Sequence, residues 1–500
     1  MSKNKGPASE AQAELRAPLA EAMQEYAAGG ALAFHTPGHK QGKGAHHLLR
    51  RLITEEGLRQ EVSLMSELDD LAHPDGCIAE AQKLAAELYG ARQSFFMING
   101  TTGAIHTMLM AALSPGDVVL LPRNAHRSVW GGLVLAGARP VWLQPEVDSE
   151  LGIAEGLSLK TVREAIEQHP EAKALVAVHP TYYGVTSRLR EIAELLHQNG
   201  MLLLVDEAHG AHLHFSAELP EDALAAGADL VAQSTHKLVG SLTQTSMLHL
   251  GSERVPYEKV RRCAGLLSST SANYLLLASL DIARLQLAEK GPELVGRSLE
   301  LARKARKEIN RIKGLFCFGP ERMGKEGADA LDETKLTVNV SGLKISGAEA
   351  ERFLRWQEGL QIELADARNI LFLLTLGDGE AEIARLLEAL RHLSDKYYPA
   401  AAETKTAAGL NFALPAMPRT VLTPRQAFYQ EQETVCARAA AGRISAEEIT
   451  FYPPGIPLLV PGEEITDALL EYSRALLAQG LHITGVADSG LETLRVIREA

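Results

Sequence analysis

The chain has 500 residues, 46% of them hydrophobic and 23% charged, and a formal net charge of −13. That is too long for one ordinary core, so two or three domains of soluble, globular composition are expected. The acid excess argues against a nucleic-acid binder, which usually shows a basic face, and no apolar run approaches the ~18–20 residues of a membrane span. Cys77, Cys263, Cys317 and Cys436 stand far apart without CxxC spacing, which fits reduced thiols in the cytoplasm better than a zinc or disulfide framework. The first 30 residues lack the apolar core of a secretory signal.

In chain order, residues 9–27 have helical apolar spacing and meet a stop at Gly29-Gly30. A Gly- and His-rich run follows at 35–47, and residues 77–90 read as a helix that ends at Gly90. Short apolar runs then alternate with helical stretches: 94–98, 117–122, PVWLQ, 174–179, 201–205, 229–234 and 246–250 are the expected strands. This rhythm predicts βαβ units and a mostly parallel sheet, with a ligand at the C-terminal strand ends. Asn99–Gly103, Arg123–Ser128, His179–Gly184, Asp206–His209 and Ser234–Lys237 are thereby expected around one crevice. Residues 274–310 read as helical and charged, a smaller α+β region runs to about 398, and the Ala/Thr/Pro-rich stretch after it reads as a linker. The division expected is an N-terminal helix and arm (1–45), a large domain (46–300), a small α+β domain (301–398) and a C-terminal domain (399–500).

The chemistry centres on Ser234-Thr235-His236-Lys237, which closes a strand-like run. An isolated lysine after a strand is ordinarily a surface residue. Buried, it loses basicity, and its neutral amine attacks an aldehyde. Asp206 ends the run MLLLV, 31 residues earlier. Such a carboxylate is either a turn residue or the acid that keeps a pyridoxal-phosphate (PLP) ring nitrogen protonated. NGTTG (99–103) offers Thr101, Thr102 and a helix N-terminus to a phosphate, although a capping turn has the same look. Neither GxxxxGK[ST] nor GxGxxG is present. His126 can stack on a pyridine ring or lie solvated in a loop. His209, His212 and His214 raise a metal site, but no acidic or Cys ligand stands at a characteristic spacing. No metal is expected, and His209 is expected to face the cofactor.

Together, HTPGHKQG (35–42), LDDLAHPDGCIAEAQ (68–82), NGTTGA (99–104), RNAHRS (123–128), HPTYYG (179–184), DEAHGAH (206–212), QSTHKLVGSLTQ (233–244), LLSSTSANYLLLASLD (266–281) and YPPGIPLLVPGE (452–463) resemble the bacterial ornithine/lysine/arginine decarboxylases, of the fold type I PLP superfamily. Ser-x-His-Lys with seven residues on to Gln244, and the late Pro-Pro-Gly-Ile-Pro loop, are the specific marks. The resemblance implies an α/β, PLP-dependent transferase-like (fold type I) large domain with smaller α+β C-terminal domains. It implies that Lys237 carries PLP as a Schiff base, that Asp206 pairs with the ring nitrogen and that His126 stacks on the ring. It also implies that Thr101, Thr102 and Ser234 bind phosphate, and that His236 touches phosphate or substrate. Ser269-Thr270-Ser271 resembles a segment reaching the phosphate of a partner subunit, with Ala272 where many relatives have Pro. The pattern is entered by about residue 35, so the short form without an N-terminal wing domain is expected.

The reaction so implied is decarboxylation of a small basic amino acid in polyamine biosynthesis, by a cytoplasmic homodimer or dimer of dimers with a shared active site, without nucleic-acid or membrane partners. Arginine to agmatine is the first expectation, chiefly on HPTYYG. Lysine to cadaverine is second, and ornithine to putrescine third. Glu363 and the YPPGIP loop are candidates for the substrate tunnel, and Glu363 reads equally as a solvated or intersubunit ion pair. A PLP aminotransferase or lyase, or a non-catalytic regulatory homologue, are the other readings.

Overall fold

The computed structural model describes residues 15–403, 415–452, 456–478 and 480–499. The chain forms two compact units. One holds the described residues up to Ala111, with Asp206–Ala217 and Glu221–Val295. The other holds Ala112–Val205, Glu218–Pro220 and the described residues from Gly296 onward.

In the first unit, the helix Cys77–Tyr89 buries Ile78, Ala81, Ala85, Ala86 and Tyr89, one apolar face at helical spacing. It stops at Gly90, whose left-handed backbone (φ 69°) costs glycine nothing. Its N-terminus is held by Asp69, whose Oδ2 accepts the N–H groups of Gly76, Ile78 and Ala79 at 2.8, 3.0 and 3.2 Å. That satisfies donors the helix cannot pair internally. The strand Gln93–Met97 pairs antiparallel with Ser246–Leu250, which pairs antiparallel with Leu230–Gln233.

In the second unit the strand order is Leu202–Asp206, Ala174–Val178, Val118–Pro122, Arg139–Leu143; only Asp206, the last residue of the first of these, belongs to the other unit. Val118–Pro122 runs parallel to both of its neighbours. Every residue of that strand is buried, as expected of a parallel strand covered on both faces. A four-stranded antiparallel sheet follows, ordered Phe316–Cys317, Lys335–Asn339, Asn369–Leu373, Leu364–Ala365. Its core holds Ile309, Leu336, Val338, Ile370 and Leu390. The last stretch folds as two small sheets. Gln432–Cys436 pairs with Thr493–Ile497, and Ile449–Tyr452 lies between Ile456–Leu459 and His482–Thr484. They share a core of Phe451, Leu459, Leu469 and Leu494 with the helix Asp467–Ala478.

Two local expectations shift. The helix after NGTTG begins at Gly100, so Thr101 and Thr102 stand in its first turn. The helix Glu380–Glu403 runs into the stretch read as a linker, because its Ala-Ala-Ala-Glu start is strongly helix-forming. Residues 404–414 and Pro453–Gly455, the centre of the YPPGIP loop, lie outside the described residues.

Candidate active site

The strand Leu230–Gln233 ends at Ser234, and the one-turn helix Thr235–Leu238 carries Lys237. Lys237 Nζ lies 2.8 Å from Nε2 of His209, which is buried. Asp206 is also buried, and its carboxylate accepts one hydrogen bond among the described residues, from the Ala208 N–H at 3.1 Å. Burial raises its pKa, and the Lys237 ammonium pulls it back. A buried carboxylate so lightly hydrogen-bonded favours a cationic partner.

A cluster of hydroxyls lies at the N-terminus of the helix Gly100–Ala112. Thr101 Oγ1 hydrogen-bonds with Ser234 Oγ and donates to Ser246 Oγ at 2.9 Å, and Ser246 donates to the Gln233 carbonyl at 2.7 Å. Thr102 is exposed beside them. The first-turn N–H groups of a helix have no carbonyl inside it and carry the positive end of its dipole, a ready anion site. The turn is braced by Gln244, which adopts φ 83°. Its carbonyl accepts the Gly100 N–H at 2.9 Å, and its side-chain amide donates to the Ile98 carbonyl at 2.8 Å. Asn99 Nδ2 donates to the Leu267 carbonyl at 3.0 Å, just before the exposed Ser269-Thr270-Ser271.

His236 Nδ1 is 2.6 Å from the Thr245 carbonyl. A carbonyl only accepts, so Nδ1 carries the proton and Nε2 of the neutral ring keeps its lone pair. Burial lowers the His236 pKa, and the charge of Lys237 acts in the same direction. Deeper in the unit, His249 bridges Ser94 Oγ (2.7 Å) and Gln233 Oε1 (3.1 Å), and Gln233 donates to Glu207 Oε2 at 2.7 Å. His214 pairs with Asp222 at 3.0 Å, and His212 is buried.

The second unit holds the other expected residues. His126 caps the helix Arg127–Ala136, accepting the Ser128 N–H on Nδ1 at 3.3 Å, with Ser128 Oγ 2.9 Å from the same atom. Glu363 is exposed, and its N–H donates to the Leu371 carbonyl at 3.0 Å. A cavity of about 750 Å³ in this unit is lined by Arg123, Asn124, Tyr183, Asp366, Phe451 and Leu458 among others. Of the expected strand ends, the first unit therefore brings together Thr101, Asp206, His209, Ser234 and Lys237. Sequence reading missed Ser246 in the hydroxyl cluster. Its signal is weak: the last small polar residue of TQTS, opening an apolar strand.

A lysine amine beside a buried, lightly bonded acid, with hydroxyls at a helix N-terminus, fits PLP: amine for aldehyde, carboxylate for ring nitrogen, hydroxyls and N–H groups for phosphate. Solved structures share the fold. Lysine decarboxylase A from Pseudomonas aeruginosa superposes with a TM-score of 0.83 at 23% identity, covering 98% of this chain and 81% of its own. The constitutive lysine decarboxylase of E. coli gives 0.81 at 24%, covering 97% and 82%. This is an α/β, fold type I architecture with a mostly parallel central sheet.

The sequence narrows it further. Residues 17–382 match the Orn/Lys/Arg decarboxylase major domain, and residues 408–489 the C-terminal domain of the same family. The arginine decarboxylase of Bacillus anthracis is 44% identical over 484 residues, 96% of this chain and 97% of that one. That of Bacillus subtilis is 42% identical over 482 residues, 96% and 98%. The chain belongs to the Orn/Lys/Arg decarboxylase family and is a PLP-dependent decarboxylase. Among the described residues, no helix is long and apolar enough to cross a membrane.

Proposed function

We propose that this enzyme converts L-arginine to agmatine and carbon dioxide. The observation carrying the choice is near-full-length identity of 42–44% to arginine decarboxylases, against 24–26% for the lysine decarboxylases of Pseudomonas aeruginosa and Escherichia coli.

PLP supplies an electron sink for the pair left behind when the Cα–carboxylate bond breaks. In this reading Lys237 Nζ would hold the cofactor covalently. Asp206 keeps the proton on the ring nitrogen. Thr101, Thr102 and Ser234 hold the phosphate, and His209 stands against the lysine. His126 stacks on the ring, as the family resemblance implies. Lys237 Nζ, or His236 once its Nε2 has taken up a proton, returns the proton to the substrate carbon. Glu363 is carried as a candidate for the distal end of the substrate.

The same reading makes the protein a cytoplasmic homodimer or dimer of dimers in polyamine biosynthesis, with Thr270 reaching the phosphate of the partner subunit. The domain division proposed is 1–45, 46–300, 301–398 and 399–500. The test is a product assay on purified protein with PLP, given arginine, lysine and ornithine separately. Agmatine from arginine alone supports the proposal. Cadaverine or putrescine as the main product overturns the substrate and leaves the reaction class standing.

A further inference from the structure

We propose that Arg123 and Glu463 form a positioning clamp through which the C-terminal domain sets the turn that presents Asn124 and His126; the inference rests on the reading that His126 meets the cofactor.

Arg123 directly follows the strand Val118–Pro122, and its N–H donates to the Leu143 carbonyl at 2.9 Å. The Ala125 N–H closes a tight turn on the Pro122 carbonyl at 3.0 Å, and His126 then caps the next helix. The backbone leaves Arg123 pointing at the C-terminal domain. Its Nη1 donates to Glu463 Oε1 at 2.6 Å, and its Nη2 donates to Glu463 Oε2 at 2.8 Å and to the Leu458 carbonyl at 2.7 Å. The Trp142 ring centroid lies 4.8 Å from the guanidinium carbon. Glu463 is fully buried, and its Oε2 also accepts the Val460 N–H at 3.0 Å. Leu458 belongs to the strand Ile456–Leu459, whose first two residues, Ile456 and Pro457, end the Pro-Pro-Gly-Ile-Pro run.

One guanidinium thus ties three things: the end of a central strand, the loop at Pro461–Glu463, and the strand leaving the candidate substrate loop. A buried ion pair is weak evidence of stabilisation, because desolvating both charges offsets most of the attraction. What a bidentate fork supplies is direction, which lysine does not reproduce. The clamp residues lie within three positions of His126 on one side and within eight of Gly455 on the other.

The experiment compares E463Q, R123K, E463D, H126A and the E463Q/H126A double variant. Its readouts are PLP titration into apoprotein followed by absorbance and visible circular dichroism, kcat and KM on arginine, and Tm. We expect E463Q and R123K to fold, to bind PLP about 10-fold more weakly with an altered cofactor dichroism, and to lose about 10-fold in kcat, the scale on which small misplacements of reacting groups act. E463D should recover part of both losses. The double variant should be no worse than H126A, since residues acting through one another are not additive. A lowered Tm with unchanged PLP affinity and dichroism, or losses that multiply in the double variant, would overturn the clamp. Should E463Q fail to fold, R123K and its double variant with H126A carry the same comparison. An unaltered H126A spectrum removes the premise about His126; an altered H126A with unaltered E463Q and R123K sinks the clamp alone.

Discussion

Asp206 in the first unit and Asp366 in the second are both buried carboxylates, and burial raises the pKa of each. Their surroundings differ. Asp366 accepts the Tyr183 hydroxyl at 2.7 Å, the N–H groups of Arg368 and Asn369 at 2.7 Å each, and the Asn369 side-chain amide at 2.9 and 3.0 Å. Asp206 accepts one backbone N–H among the described residues and feels the charge of Lys237. Asp366 is saturated by its own protein, which is how a structural carboxylate is held. Asp206 is left with capacity for a partner that arrives later. Burial and a shifted pKa do not separate a structural acid from a functional one. The hydrogen-bond load does.

The largest effect that sharpens this contrast should come from the lysine beside Asp206. Lys237→Ala is expected to lower kcat by at least about 10³-fold, the usual scale for losing a covalent catalytic group, and to release the cofactor on dialysis. Steady-state kinetics and the visible spectrum read both.

Next comes the direct exchange of the two acids. Asp206→Asn should cost about 10²-fold in kcat, with the apoprotein Tm unchanged or raised. The sign follows from the raised folded pKa: the stability this acid contributes is complete below its unfolded pKa of 3.8 and is lost as pH rises through the folded value, so at pH 7 the charge is a burden. Asp366→Ala should do the reverse, costing about 2–3 kcal/mol of stability and leaving kcat within about threefold, below 1 kcal/mol on the barrier. Thermal melts beside kinetics decide it. An Asp366→Ala protein of normal Tm and no activity would invert the comparison.

Ser234→Ala and Thr101→Ala should each weaken PLP binding about 10-fold, the value of one hydrogen bond to a charged group. Equilibrium titration of the apoprotein measures this.

The smallest effect is on acid stability in the first unit. Burial holds the His249 pKa at about 3, against an ordinary 6.5. The unfolded chain therefore binds this proton more readily, and stability present above pH 6.5 is lost as pH falls toward about 3. His249→Asn should flatten the Tm–pH profile over that window. A wild-type slope retained in the variant would assign the loss to other groups.

Much of the candidate site was readable because it is local. Asp206 ends a short apolar run and Lys237 and Thr101 follow one within four residues, and such runs show in sequence as strands whatever packs on them. Gln244 was recognisable as a family mark, but its work was not: bracing Gly100 through a backbone at φ 83° depends on a fold-imposed conformation. Ser246 reads as one more polar residue until three elements bring its hydroxyl to Thr101. Glu363 drew notice as an acid in QIELAD, yet Asp366, three residues on, is the buried one, since each lies at its own register beside the short strand Leu364–Ala365.

Sequence alone settled the α/β rhythm, the family, the cofactor and which residues stand at the strand ends. The rhythm and the strand ends follow from periodicity, and the family and its cofactor from the resemblance of motifs whose parts are close in the chain. Tertiary structure decided the pairings: Lys237 with His209, Thr101 with Ser234 and Ser246, Asp366 with Tyr183, and Arg123 with Glu463, 340 residues apart. Hydrogen bonds act over about 3 Å. Which atoms come that close is set by the packing of the whole core, and no local pattern along the chain encodes that distance.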